Sequence, residues 1–577
     1  MAVNPLDLLQ ALGPKAREAL ERQTEKLSLP AGHTLFRQGA AADALYLVVA
    51  GSLGVYITGP GGERQLIALI EAGETVGEMA VLSDSRRSAT VTALRDSELL
   101  RLTKSRFDLL QKQEPELMAG INRILVHRLR QVSRGVGRRI EPRTAALIPA
   151  VDGLDTVPIA ERLAELLRSH GARVCVAGRE AAKNPSGWFA ELEATNDHVL
   201  LCGCPAGEDE AWMRLCTRQA DRILVLARAG EAAMTSLPQD MLQQRADHQL
   251  LDLVLLHDKP GSAPSRTDAW LELMPVNRHF HIRQDDSKDW ARLARVIGGR
   301  ALGVVLSGGG ARAYAHIGAL QAIVESGLPI DFIGGVSMGA IVGAGLACGW
   351  TLDELHMRVQ EAFVTSNPLS DLTLPLISLV RGRKVERLLK DYFRETRISD
   401  TWLPFYCVSA NLSDATVFVH KRDKVRQALR ASIALPGVLP PKVMHKSVLV
   451  DGAVINNLPV DIMRSLHRGP IVAVDVARDR ALTPEMVQLT RHGNWLDRLR
   501  RPPIVSILMR SGTVSGESEI QRQSRIADLV VQPPLGDIDI RDWLAFDQAV
   551  TIGYEHTAAV LSEHASALSR PRRATTA

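Results

Sequence analysis

Two apolar strands each run into glycine and then into a helix of small residues, and this repeated pairing constrains the fold more than any other feature. Ala301–Ser307 (ALGVVLS) meets the run GGGARA at Gly308–Ala313 and then the helical stretch Tyr314–Gly327. Asp331–Ser337 (DFIGGVS) passes into Met338–Gly349 in the same way. Strands that are apolar throughout and are followed at once by helices call for a parallel sheet with helices packed on it. Phe332–Trp350 carries no charge and imitates a membrane span, but its six glycines, and a serine set between two of them, suit a tight turn and a packed helix. We expect no transmembrane helix. The N-terminus lacks a basic segment followed by an apolar one, so no signal peptide is expected either.

The remainder of the chain has two other textures. From Leu27 to about Leu99, short β-branched segments (LYLVVAGSLGVYI, RQLIALI) alternate with glycine turns, the pattern of a small barrel or jelly roll. After Thr103 the period turns helical, with Phe107, Leu110, Leu117, Ile121, Ile124, Leu125 and Leu129 on one face. Between about 145 and 295, strands (AALIPAV, ARVCVAG, HVLLCG, RILVLA) accompany a helix ending at Gly171, the pattern of a parallel α/β sheet. The first of these strands leads into AVDGLDT, which lacks a phosphate-binding loop. At 577 residues the chain is too long for one core. We therefore expect a multidomain protein: 1–140 a barrel with helices, 145–295 a degenerate Rossmann-like α/β domain, 299–562 a second α/β domain, and 563–577 a disordered tail.

Charge and cysteine usage exclude several classes. Lys and Arg number 69 against 65 Asp and Glu, a net charge of +4 that is too small for a dedicated nucleic-acid binder. The six cysteines form neither a disulfide framework nor a C-x-x-C metal pair. No metal and a reduced, cytoplasmic setting are expected.

Gly335-Val336-Ser337-Met338-Gly339 is a G-x-S-x-G motif between strand and helix, where a sharp turn exposes a serine Oγ. The Gly308, Gly309 and Gly310 amides, with Arg312 nearby, could form an anion-binding nest for an oxyanion. Gly308, Gly310 and Ala313 also match a dinucleotide fingerprint, but its acid should follow the second strand, and Asp331 precedes it. His420 and His445 both come before Asp451, the best-placed acid, which ends an apolar strand at Gly452-Ala453 and could act directly as base if burial raises its pKa. His316 reads as a packed histidine and Asp475 as structural.

These motifs together (Gly308–Arg312, Gly335-x-Ser337-x-Gly339, Asp451-Gly452-Ala453), supported by His316-Ile317-Gly318, Ala431–Gly437 and Asn456–Val460, resemble the patatin-like phospholipases over about 299–560. The resemblance implies Ser337 as nucleophile, Asp451 as base, and no catalytic histidine. Where that family usually has glycine, this chain has Ala313, and we expect it to be helical and unstrained.

In the barrel, Gly77-Glu78-Met79 followed by Arg87-Ser88, together with Leu29–Phe36, Gln38-Gly39, Ala44–Leu47 and Gly51–Leu53, resembles the cyclic-nucleotide-binding domain. That implies Glu78 on a ribose hydroxyl, Arg87 on a cyclic phosphate, Gly77, Met79 and Ser88 lining the pocket, and a lid helix around Ile121–Leu129. cAMP and cGMP both remain open. The whole arrangement is similar to bacterial relatives of neuropathy target esterase. It implies a serine esterase of lysophospholipids or phospholipids, needing no cofactor, cytoplasmic, and peripheral at the inner face of the membrane, with the barrel as a candidate regulatory site. Basic-apolar stretches such as RGRKVERLLKDYF are candidates for surface binding. The alternative is a cyclic-nucleotide receptor or scaffold with an inactive hydrolase.

Overall fold

The computed structural model describes residues 14–59, 64–113, 142–184, 186–205, 207–235, 249–258, 261–366, 370–373, 378–466, 469–477 and 516–568, with isolated positions at 119, 121, 122, 237, 241 and 368. Most of the expected lid helix, the run at 500–503 and the last nine residues lie outside them. Contacts divide the chain into two compact units, residues 1–227 with 234–252, and residues 253–573 with 228–233.

The first unit opens with the barrel. Its eight strands are β1 (Glu25–Leu29), β2 (Thr34–Phe36), β3 (Ala44–Ala50), β4 (Ser52–Thr58), β5 (Arg64–Glu71), β6 (Thr75–Val76), β7 (Thr90–Ala93) and β8 (Ser97–Thr103). They form two four-stranded sheets, β1-β8-β3-β6 and β2-β7-β4-β5, paired antiparallel throughout. This is the expected jelly roll. Ala44, Tyr46, Val48, Leu53, Val91 and Leu99 fill the space between the sheets, while Leu45, Leu47 and Leu102 turn outward onto Phe107, Leu110 and Ile121. The helical period read after Thr103 thus marks residues that cap the barrel.

The same unit contains β9 (Thr144–Pro149), β10 (Val174–Ala177), β11 (His198–Cys202) and β12 (Arg222–Arg228), parallel in the order β10-β11-β9-β12. The amphipathic helix Val157–Ser169 buries Ala160, Leu163, Ala164 and Leu167. The barrel is anchored to this sheet by Arg95, in the turn before β8. Its guanidinium is buried and pairs with both Glu193 and Asp221. Asp221 also accepts hydrogen bonds from the backbone of Arg143 and Thr144 at the start of β9.

The two contact units do not meet at the expected domain limit near residues 295–299 but further upstream, and three domains are not separated by this division. The boundary falls within β13 (Leu250–His257), and β14 (Arg278–Arg283) belongs to the second unit. Hydrogen bonds explain why: the ring nitrogens of His279 and His281 on β14 both lie on the Ser399 carbonyl, at 2.9 and 3.0 Å. Ser399 Oγ donates to Asp268 at 2.6 Å.

The second unit is built on an eight-stranded sheet of β15 (Gly303–Leu306), β16 (Phe332–Val336), β17 (Phe405–Asn411), β18 (Thr416–His420), β19 (Lys442–Met444), β20 (Ser447–Asp451), β21 (Ile471–Val474) and β22 (Leu529–Val531). Its order is β19-β20-β17-β16-β15-β21-β22, with β18 paired to β17. β15, β16, β17, β21 and β22 are parallel, as the apolar strand-then-helix pattern requires, and β18, β19 and β20 are antiparallel. The charge-free Phe332–Trp350 stretch resolves into β16 and the helix Ser337–Ala347, whose residues are nearly all buried. Among the described residues no helix is long and apolar enough to cross a membrane. The helix Phe546–Leu568 runs into the segment expected to be a disordered tail. Within it, Gly553 lets the backbone lie against Ala315 at the start of the helix Ala315–Glu325, where a Cβ would come within 2.1 Å of the Ala315 carbonyl oxygen.

Candidate active site

β16 ends at Val336 in extended conformation, and the helix begins at Ser337 with φ of 53°. A left-handed serine is strained, and it persists only where its surroundings enforce it. Here Ser337 N–H donates to Ser432 Oγ at 3.0 Å, and Ser432 Oγ donates to the Val408 carbonyl at 2.7 Å. Gly335 and Gly339 give the turn its room. A Cβ on Gly339 would stand 2.3 Å from the Ser307 carbonyl oxygen, and one on Gly335 2.9 Å from Ala340 N.

Ser337 Oγ donates to Asp451 Oδ2 at 2.6 Å. Asp451 closes β20, and its other oxygen accepts from Ala453 N–H at 2.9 Å. Gly452 lies where a Cβ would come within 2.6 Å of the Val408 carbonyl oxygen, so the strand end can press against β17. Burial pushes the Asp451 carboxyl up to about 6, against the lowering effect of the Ser337 and Ala453 hydrogen bonds. This is the raised carboxylate that the sequence required of a base acting without histidine.

The glycine run sits beside this pair but divides its labour. Gly308 N–H donates to Asn457 Oδ1 at 3.0 Å, and Asn457 Nδ2 returns to the Gly308 carbonyl at 3.3 Å. The Gly308 amide is therefore spent on holding the loop, which corrects its expected place as an oxyanion donor. Arg312 is buried, and its Nε donates to the Ile538 carbonyl at 2.7 Å. The amides of Gly309 and Gly310 have no hydrogen-bond acceptor among the described residues. Gly310 takes φ of 58°, in reach only because it lacks a Cβ that would strike the Ile540 carbonyl at 2.3 Å. Ala313 lies in the short 3-10 helix Gly310–Tyr314 and is not left-handed, as expected.

His316 is fully buried, and its Nε2 lies 2.8 Å from the Ser307 carbonyl; burial lowers its pKa to about 4, so it is a neutral packed donor. Asp331 is engaged by Arg295 through two hydrogen bonds of 2.9 and 2.7 Å, which leaves no acid for a dinucleotide ribose. Asp475 accepts from Ala477 N–H and Gln532 Nε2, a structural role.

In the barrel, Glu78 and Arg87 are both buried, while Met79 and Ser88 are exposed. Gly77 is left-handed at φ of 84°, and a Cβ there would collide with Arg87 Nη1 at 2.4 Å. Arg87 stacks over Phe36 and donates from Nη1 to the Gly77 carbonyl at 3.0 Å and from Nη2 to the Ala44 carbonyl at 2.6 Å. Gly77 and Arg87 are thus in contact, with the guanidinium held on backbone carbonyls.

Three family models match the chain: patatin-like phospholipase over residues 304–464, the neuropathy target esterase family P-loop like domain over 141–297, and the cyclic nucleotide-binding domain over 26–114. The chain is thus similar to the patatin-like phospholipases and, in its middle region, to the neuropathy target esterase family. Human patatin-like phospholipase domain-containing protein 6 is 28% identical over 608 residues, covering 92% of this chain and 44% of the human protein. An uncharacterised family member from Mycobacterium tuberculosis is 29% identical over 577 residues, covering 96% of this chain and 94% of its own. The lysophospholipase nte1 of Aspergillus fumigatus is 28% identical over 644 residues, covering 95% of this chain and 42% of that protein. The chain thus spans less than half the length of the human and fungal relatives.

This patatin-like unit also holds an array that sequence reasoning missed. Ser409 on β17 is the register partner of Asp451 on β20. Its Oγ lies 2.9 Å from His420 Nε2, His420 Nδ1 lies 2.7 Å from Asp423 Oδ2, and Asp423 Oδ1 lies 2.6 Å from His445 Nε2. Burial raises the Asp423 carboxyl, but the hydrogen bonds from the two histidines outweigh it and hold the pKa below the usual range. Ser409 and His420 are fully buried in regular strand, without the exposed strained turn of Ser337. The two histidines that precede Asp451 in sequence therefore brace the strands behind it. Their spacing from Ser409 carries no local signal that could have shown the array.

Proposed function

We propose that this chain is a carboxylic ester hydrolase that releases fatty acid from lysophospholipids or phospholipids through Ser337 and Asp451. The observation that carries this reading is the 2.6 Å hydrogen bond from a left-handed, half-buried serine to a buried carboxylate with a raised pKa. Ser337 Oγ attacks the acyl carbonyl as its proton passes to Asp451 Oδ2. The tetrahedral oxyanion is held by the Gly309 and Gly310 N–H groups, with Asn457 and Arg312 fixing the loop that presents them. Collapse expels the glycerol oxygen, which takes the proton from Asp451 and leaves an acyl-serine. Asp451 then takes a proton from the water that attacks the acyl-serine, and returns it to Ser337 Oγ as the ester bond breaks and the fatty acid leaves.

We further propose a three-domain organisation with limits near 140, 145–295 and 299–562, supported by the three separate family matches. Glu78 and Arg87 are proposed to receive the ribose hydroxyl and phosphate of cAMP or cGMP, with regulation of the esterase as the purpose. The setting proposed is cytoplasmic and membrane-peripheral. The test is fatty-acid release from a lysophospholipid by wild type and Ser337→Ala, each with and without cyclic nucleotide. Release by wild type alone, with a loss of at least about a thousandfold in the variant, is expected. Equal release by both, or none by either, would overturn the dyad reading.

A further inference from the structure

The basic-apolar stretch RGRKVERLLKDYF forms the helix Arg383–Phe393, but its apolar side is not available for docking: Val385, Leu389 and Phe393 are buried in the core. What it presents outward is charge, with Arg383, Lys384, Arg387 and Lys390 exposed. Its Glu386 lies 3.3 Å from Lys442 on β19, so the basic helix adjoins the β19–β20 hairpin.

That hairpin supplies the missing apolar component. Val443 and Val448 are register partners, and Val448 carbonyl accepts from Leu412 N–H at the end of β17. The three form a row across three strands, exposed by 70%, 37% and 54% for Val443, Val448 and Leu412. At the helix's start, Leu372 is 70% exposed, and the adjoining Asp371 accepts from Arg383 N–H. The hairpin tip is a two-residue turn at His445 and Lys446, both left-handed at φ of 49° and 62°. Side chains other than glycine and asparagine are unfavourable in such a turn. His445 is held there by Asp423 and by stacking on Phe418, while Lys446 projects outward.

We propose that this face, the aliphatic row and Leu372 rimmed by the basic helix and Lys446, is the surface by which the unit docks on an anionic phospholipid bilayer. Charge selects the occupant. Of the nearby acids, Glu386 is engaged by Lys442 and Arg430, Asp371 by backbone N–H groups and Asp414 by Asn411 and Thr416, which leaves Asp391 as the exposed acid among the four basic residues of the helix. Arg383, Arg387 and Lys446 have no ion-pair partner among the described residues. The chain's own segment 478–515 holds seven Arg and three acidic residues, and a second copy carries a net charge of only +4, so neither complements a basic face. A bilayer offers hydrocarbon to the aliphatic row and anionic headgroups to the rim. β20 joins this surface to the site, since Val448 is three residues, about 10 Å of strand, from Asp451. The inference rests on the ester-hydrolase reading for its purpose, though not for its geometry.

Co-sedimentation of the full chain with vesicles of phosphatidylcholine, alone and mixed with phosphatidylglycerol, tests it. Wild type should pellet with the mixed vesicles, and both Val443→Asp with Val448→Asp and Arg383→Glu with Arg387→Glu should weaken partition by about tenfold or more. Leu544→Asp, at a residue 81% exposed elsewhere, should not. A thermal melt of each variant confirms folding. Binding that survives both pairs, or is absent in wild type, overturns the proposal, as does a change of mass in sedimentation velocity that marks the face as a self-association site. Hydrolysis of a soluble short-chain ester by wild type against Ser337→Ala reads the esterase separately, so either idea can fail alone.

Discussion

At the scale of single residues, Asp451 carries both the proposed chemistry and a cost. A carboxyl whose pKa is raised by burial is ionised only above that value, and it must be ionised to accept the Ser337 proton. Activity should therefore fall about tenfold per pH unit below pH 6, measured as kcat/KM on a soluble ester. The stability sign runs the other way. Between the ordinary aspartate range and 6, the folded chain binds a proton that the unfolded chain has released, so ionising Asp451 at neutral pH costs on the order of 3 kcal/mol of stability. Asp451→Asn should accordingly abolish hydrolysis while raising the melting temperature at pH 7; a lower melting temperature would show that the carboxylate is better accommodated than its burial implies. Ser337 and Asp451 were both legible in sequence, because a strained turn needs glycine on either side and a strand-end acid needs a small residue after it. The use of the Gly308 amide was not legible: it depends on Asn457, 149 residues away.

At the scale of elements, the strand-glycine-helix pairs declared the central sheet, and close approach explains their composition. Gly339→Ala would drive a methyl group into the Ser307 carbonyl and displace both the elbow and the glycine run. We expect at least about 2 kcal/mol of lost stability with activity lost as well, read by urea unfolding. The antiparallel edge, β18 to β20, was far less legible, since short strands of mixed polarity lack the continuous apolar signature of β15 and β16. The strand β14 and its histidines escaped for a different reason: their partner is a carbonyl in a distant loop. That carbonyl fixes their protonation. Ser399 O can only accept, so His279 and His281 each present Nε2–H, and His281 Nδ1 accepts from His257 Nε2–H at 3.0 Å. Burial lowers all three pKa values. The unfolded histidines gain protons near 6.5 that the folded ones refuse, so this contribution to stability is present above that pH and is lost as pH falls. The melting temperature of the full chain should drop from pH 7 to pH 5, and His281→Gln should flatten that slope.

At the scale of the molecule, composition and texture separated three regions, and the three family models fall at 26–114, 141–297 and 304–464. Texture did not show which regions share contacts, because those contacts are made by isolated polar residues such as Arg95 and Ser399. The nucleotide reading also belongs at this scale, because it gives the barrel a purpose in the proposed esterase. Calorimetry of the full chain with cAMP and cGMP should give heat with at least one, lost in Arg87→Ala; silence with both would remove the ligand from the proposal.

The Arg95 anchor limits how freely the barrel can be traded between proteins. Jelly rolls of this type are often treated as portable parts, joined to a neighbour by a linker alone. Here a barrel severed near residue 140 would leave behind the two carboxylates that neutralise its buried guanidinium, and the sheet would keep two acids packed together at the start of β9. Any graft of this barrel onto a different partner would have to bring a matching pair of acids with it, so the smallest transferable piece is the barrel together with the sheet behind it.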